Sequence, residues 1–204
     1  MTSVTVSSTT QTVAITEGTG DTTIVTASTP AVVVETVGLG PQGPGGILPL
    51  YGSFIDTTDQ PLVSTSASQP ITINTTLENR GVTISNGSRI NFQLAGTYKI
   101  FASLQITNSS NNIAEVNIYF KQNGTTIPNS NTRLDLQQRK SVNTPFHGCF
   151  SIELQLTVAA LSYMELHWVA DTLGVAVDTI PANGTHPQAP SVILNVAQAM
   201  YAQA

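Results

Sequence analysis

The sequence is short of charge, and the little it carries is unevenly spread. Only 9% of the 204 residues are Asp, Glu, Lys or Arg, against about a quarter in an average soluble domain. The first basic residue is Arg80 and the net charge is -5, so a phosphate backbone finds little to grip and nucleic acid is not an expected partner. Cysteine occurs once, at Cys149, which excludes an intrachain disulfide and a cysteine metal cluster. No window approaches the roughly 18 apolar residues of a membrane span. The opening "MTSVTVSSTT" has neither a basic nor an apolar leader region, so neither membrane insertion nor export through a cleaved signal is expected. No aromatic residue precedes Tyr51. Phosphate-binding Gly-Lys-Ser/Thr loops and Gly-x-Ser-x-Gly elbows are missing as well.

What is present is a hydrophobic fraction of 40%, enough to fill one sizeable core in a chain of this length. Ser, Thr, Asn and Gln supply most of the polarity. The chain changes character at "GLGPQGPGG", where Gly40, Gly43 and Gly46 fall three apart with Pro41 and Pro44 between them. Two such triplets cannot hold a collagen helix unaided. They read either as a flexible linker or, if the flanking segments assemble in threes, as a threefold joint over residues 38–50. Before the joint, residues 1–37 alternate Val and Ile with Thr and Ser in three strand-like pieces near 3–17, 21–27 and 31–37. So small a Val/Ile/Thr segment cannot enclose its own core. It is either an arm intertwined with two copies of itself or a tail that orders on docking, with Val4, Val6, Val13 and Ile15 as candidate anchors to a larger particle.

Residues 51–204 read as a succession of strands with turn signals between them and no convincing helical stripe, which predicts an antiparallel sandwich or jelly roll. "YGSFIDTT", "QPITINTT", "GVTIS", "SRINFQLAG", "TYKIFASLQIT", "AEVNIYFKQNG", "TPFHGCFSIELQLTV", "YMELHWVAD" and "PSVILNVAQAM" are the expected strands. Alternation assigns Tyr98, Ile100, Ala102, Leu104 and Ile106 to the core, together with Phe150, Ile152, Leu154, Leu156 and Val158. It turns Phe101, Tyr119 and Val169 outward, where they are candidates for a subunit interface. Three of the five Asn-x-Ser/Thr sequons, at Asn86, Asn123 and Asn183, continue with Gly and read as hairpin turns. Cys149 is expected as a buried, inert thiol. His147, His167 and His186 lack metal-ligand spacing, and the carboxylates Asp56, Asp59, Asp135, Glu153, Glu165, Asp171 and Asp178 show no close pair for acid and base work. Neither a catalytic site, a metal nor a cofactor is expected.

"RINFQLAGTYKIFASLQI", with its Gly-x-Tyr turn at Gly96 to Tyr98, "VNIYFKQNGTTIP" and "YMELHW" resemble the trimeric jelly-roll heads of the complement-one-q and tumour-necrosis-factor type. "YGSFIDTT", "NGTTIPNSNTRLDL" and "PSVILNVAQ" further resemble domains on the virions of tailed phages, cyanobacterial ones among them, often preceded by a short Gly-Pro-Gln run. The likeness covers about three quarters of the chain. It implies a homotrimer on the particle surface, a short fibre, knob or capsid decoration, whose arm holds other virion proteins and whose head faces outward. Host-surface polysaccharide is a further partner under the adhesin alternative. Some members of the family bind calcium near the trimer apex, but no ligand set here matches theirs.

Overall fold

The computed structural model describes residues 11–16, 22–27 and 49–201. The chain divides into two units, Met1–Gly46 and Ile47–Ala204. In the first, β1 (Gln11–Thr16) and β2 (Thr22–Ala27) pair antiparallel, with Val13 opposite Val25 and Ile15 opposite Thr23. The Thr- and Val-rich composition of both segments suits extended backbone. Val4, Val6, the piece near 31–37 and the joint glycines Gly40, Gly43 and Gly46 lie outside the described residues.

The second unit is all β, with no helix among the described residues and every strand pairing antiparallel. Its strands are β3 (Tyr51–Asp56), β4 (Gln60–Pro61), β5 (Gln69–Pro70), β6 (Thr75–Arg80), β7 (Val82–Ser85), β8 (Arg89–Phe92), β9 (Gly96–Asn108), β10 (Ala114–Gln122), β11 (Thr125–Thr126), β12 (Thr132–Leu136), β13 (Phe146–Val158), β14 (Tyr163–Ala170), β15 (Val175–Val177) and β16 (Val192–Tyr201). One sheet runs β13-β9-β16-β3-β6, with β15 and β4 continuing the β16 and β3 rows. The other runs β12-β10-β14-β8-β7, with β11 also pairing β10, at its C-terminal end, and β5 beside β14. We call them the first and second sheet.

Alternation packs the two sheets face to face. Tyr98, Ile100, Ala102, Leu104 and Ile106 of β9 are buried, as are Phe54, Val192, Leu194 and Val196 from the first sheet and Phe92, Ile118, Phe120, Met164 and Trp168 from the second. Each large side chain so placed contributes about 1.5–3 kcal/mol of transfer free energy. Gly96 is needed where β9 begins, because a Cβ there would stand 2.6 Å from the Met200 carbonyl oxygen. Two of the expected Asn-Gly turns adopt the left-handed backbone that such pairs favour: φ is 51° and 70° at Asn86 and Gly87, and 48° and 82° at Asn123 and Gly124.

Several expectations need correction. "QPITINTT" is not one strand: β5 lies in the second sheet and β6 in the first, and the chain crosses between them. The Gln60 side chain stands in for a neighbouring strand there, accepting from Thr72 N at 2.8 Å and donating to Thr72 O at 3.1 Å. β12 was not anticipated, although Leu134 and Leu136 alternate with Arg133 and Asp135. Leu154 and Leu156 are only partly buried, because the short β12 pairs only with the Ala114–Ile118 part of β10 and the sandwich margin opens beyond it. Cys149 is exposed, since the inward register of Phe150 and Ile152 turns it to the opposite face.

Candidate functional site

The outer face of the first sheet is built in rows by the strand register. Ile55, Ile193, Ser103 and Ser151 form one row; Ser53, Asn195, Phe101 and Glu153 the next; Tyr51, Ala197, Lys99 and Gln155 the third. Small residues in the middle leave a depression of about 320 Å³ lined by Tyr51, Ser53, Lys99, Phe101, Asn195 and Ala197. Tyr51 is 41% and Ile193 37% exposed, high for side chains of their size. The ion pair Lys99 Nζ to Glu153 Oε2, 3.0 Å long, borders the depression. Cys149 lies on this face, its Sγ 3.3 Å from Ser103 Oγ and accepting from Gln105 Nε2 at 3.8 Å. β13 closes the sheet with a 13-residue edge, and no described strand pairs with its far side.

The outer face of the second sheet is polar and internally bonded. Tyr119 Oη donates to Ser68 Oγ at 2.7 Å, and Ser68 Oγ stands 3.4 Å from His167 Nδ1. On the other side of the imidazole, Nε2 is 3.9 Å from Glu165, which also accepts from Ser88 Oγ at 2.8 Å. Arg89 stacks on the Tyr163 ring at 4.2 Å. Burial, and then the Lys121 charge, push the His167 pKa down, with Glu165 partly opposing them. The imidazole is therefore held neutral at neutral pH. Serine, histidine and glutamate stand in relay order here, but 3.4 Å from Ser68 to His167 is long for a hydrogen bond and 3.9 Å from His167 to Glu165 is beyond one. The array works as a strap that pins the loop between β4 and β5 onto β14.

Beside the strap lies a cleft of about 340 Å³ lined by Asn117, Tyr119, Thr126, Ile127, Pro128, Asn129 and Asn131. Asn117 Nδ2 donates to Glu115 Oε1 and Asn131 Nδ2 to Asn117 Oδ1, both at 2.9 Å, while Arg133 Nη2 closes on Glu115 at the same distance. At the end of the sandwich away from Leu50, the structure joins two carboxylates. Asp59 accepts the backbone N–H of Thr179 at 2.9 Å and its hydroxyl at 2.7 Å, which hold its pKa below the ordinary value. Asp178 is pushed up to about 6, first by burial and then by its hydrogen bond with Asp59 and that group's charge. This pair corrects the expectation of scattered carboxylates, because the two residues come from opposite ends of the head sequence.

Of the expected interface residues, Phe101 lies on the first sheet's outer face. Tyr119 and Val169 lie on the second's, in adjoining rows of β10 and β14. No single face carries all three. His147 and Cys149 are both exposed on β13, and no group of three His, Cys, Asp or Glu able to hold a metal is found among the described residues. No described helix is long and apolar enough to cross a membrane. No protein-family model matches the chain, and no curated protein matches it.

Proposed function

We propose that this is a non-enzymatic homotrimeric protein of a tailed-phage virion, a short fibre, knob or decoration whose arm holds other virion proteins and whose jelly-roll head faces outward. The strand orders β13-β9-β16-β3-β6 and β12-β10-β14-β8-β7 suit a jelly roll, and the sequence resemblance supplies the particle. The observation that carries the threefold assembly is the first sheet's outer face, with Tyr51 and Phe101 lining a depression of about 320 Å³ and Ile193 exposed in the next row. A ring of three needs two different patches that fit each other, one on each side of every subunit contact. That face and the adjoining edge of β13, with the partly buried Leu154 and Leu156 at its margin, are such a pair. Val13 and Ile15 in β1, with Val4 and Val6, are the proposed particle anchor, and Gly40, Gly43 and Gly46 keep the three chains in register between arm and head.

Light scattering behind a sizing column tests the assembly. The full chain is expected at three times its 21.5 kDa mass; a single chain mass would remove the threefold reading and the strongest reason for placing the protein on a virion.

A further inference from the structure

We infer that the cleft beside Tyr119 on the second sheet is a binding site for an uncharged saccharide. This goes beyond display, and it requires only that the second sheet's face stay uncovered, not that the head be trimeric.

The lining has the chemistry such a ligand needs. A sugar ring presents a patch of C–H groups on one side and hydroxyls around its rim, so it is held by an aromatic surface flanked by groups that both donate and accept. Tyr119 provides the ring, beside Ile127 and Pro128, and Asn117, Asn129 and Asn131 provide three amides. No charged side chain lines the cleft. Of the charges beside it on β10 and β12, Glu115 and Arg133 neutralise each other at 2.9 Å, and Lys121, whose Nζ stands 6.0 Å from the Tyr119 ring centroid, lies outside the lining. The lining itself therefore offers an anionic ligand no charge to pair with. At about 340 Å³ the space falls within the range of small-molecule sites, roughly 300–1,000 Å³.

The site is also fixed before any ligand arrives. The Tyr119 ring is held by its hydroxyl's bond to Ser68, 2.7 Å long. The loop that forms the opposite wall is locked to β10: Ile127 N donates to Phe120 O at 2.9 Å, and the buried Ser130 hydroxyl accepts from Phe120 N at 3.1 Å and donates to Ile127 O at 2.8 Å. Asn117 is oriented by Glu115 and Asn131, which use one of its N–H groups and one lone pair of its oxygen. Asn129, left-handed at φ 60°, has no side-chain hydrogen bond within the described residues, and the Asn131 carbonyl oxygen likewise accepts none. A rigid frame with a few free polar groups loses little freedom on binding. The other large cleft, about 400 Å³ beside Leu161, lacks an exposed aromatic surface, because Phe92, the one ring in its lining, is buried in the core.

Saturation-transfer NMR on the full chain tests the inference, with glucose, galactose and N-acetylglucosamine as probes and sialic acid as the charged control. Transfer to at least one neutral sugar is expected, with affinity falling roughly tenfold in Asn129→Gly and in Asn131→Ala, each of which removes a hydrogen-bonding group from the cleft. Asn129→Gly keeps the left-handed backbone and breaks no side-chain hydrogen bond of the free protein, so it separates loss of binding from loss of fold. Thr83→Ala in the Leu161 cleft leaves the signal unchanged. The inference is overturned by no transfer to any neutral sugar, by transfer that survives both amide substitutions, or by preference for sialic acid. Transfer to a protein of single chain mass would support the site while removing the trimer, so the two readings fail separately.

Discussion

The two outer faces of the sandwich are made from the same strand geometry and end up chemically opposed. On the first sheet Tyr51, Phe101 and Ile193 lie among polar side chains that are not hydrogen-bonded to one another, Asn195, Gln155, Glu78 and Arg80, and the ion pair of Lys99 with Glu153 sits half exposed beside Phe101. On the second, Glu115, Asn117, Asn131 and Arg133 form one bonded chain, and the pairs Tyr119 with Ser68 and Ser88 with Glu165 flank His167. A surface that satisfies its own polar groups gains little from a flat protein partner, since each bond would have to be exchanged for another. The side chains of Tyr51, Phe101 and Ile193, outside such a network, gain from a cover that removes them from water. Under the proposed function, the contrast gives assembly to the first sheet and recognition to the second.

The sharpest way to break that contrast is Phe101→Asp. A charge in the first sheet's depression is expected to reduce the solution mass from three chains to one, whereas Val169→Asp on the second sheet leaves it at three. Equal effects at the two positions would show that the faces are not specialised. One residue along β9, Ile100→Ala deletes a fully buried side chain, and chemical denaturation should show a loss of about 2–5 kcal/mol. A loss below about 1 kcal/mol would mean that the inward register of β9 is wrong, and the outward register of Phe101 with it.

A smaller effect is expected at the carboxylate pair. Because the folded pKa of Asp178 is raised to about 6 from 3.8, the stability it contributes is fully present below about pH 4 and fades as pH rises through 6. Asp59, held low by Thr179, works in the opposite sense: its contribution is present above its ordinary pKa and lost in stronger acid. Asp178→Asn should therefore flatten the thermal midpoint between pH 4 and 6, the window of the Asp178 shift; an unchanged pH profile would count against the pairing. Least of all is expected from Lys99→Ala, about 0–1 kcal/mol for a half-exposed ion pair. A loss well above that in the assembled protein would place the pair inside a contact between chains.

Much of the fold could be read from alternation. The buried set of β9 and the outward placement of Phe101, Tyr119 and Val169 follow from a period of two, and the turns at Asn86 and Asn123 from Asn-Gly. Where a strand's inner face lacks a full partner the pattern misleads, as at Leu154 and Leu156. A short strand such as β12, bounded by polar residues, hides among turns. The break within "QPITINTT" was equally hidden, since Ile71 and Ile73 are both buried while the chain passes between sheets. Cys149 was misjudged because an apolar neighbourhood in sequence says nothing about which face a given residue takes.

The sequence by itself determined the all-β class, the spacing of strands and turns, and the low charge, because these depend on neighbours along the chain. Only the tertiary structure decided that Phe101 and Tyr119 belong to opposite faces, that Asp59 meets Asp178, and that Ser68 reaches His167 and Tyr119. Those pairings join segments far apart in sequence, and they rest on strand order and register, which no local pattern of side chains encodes.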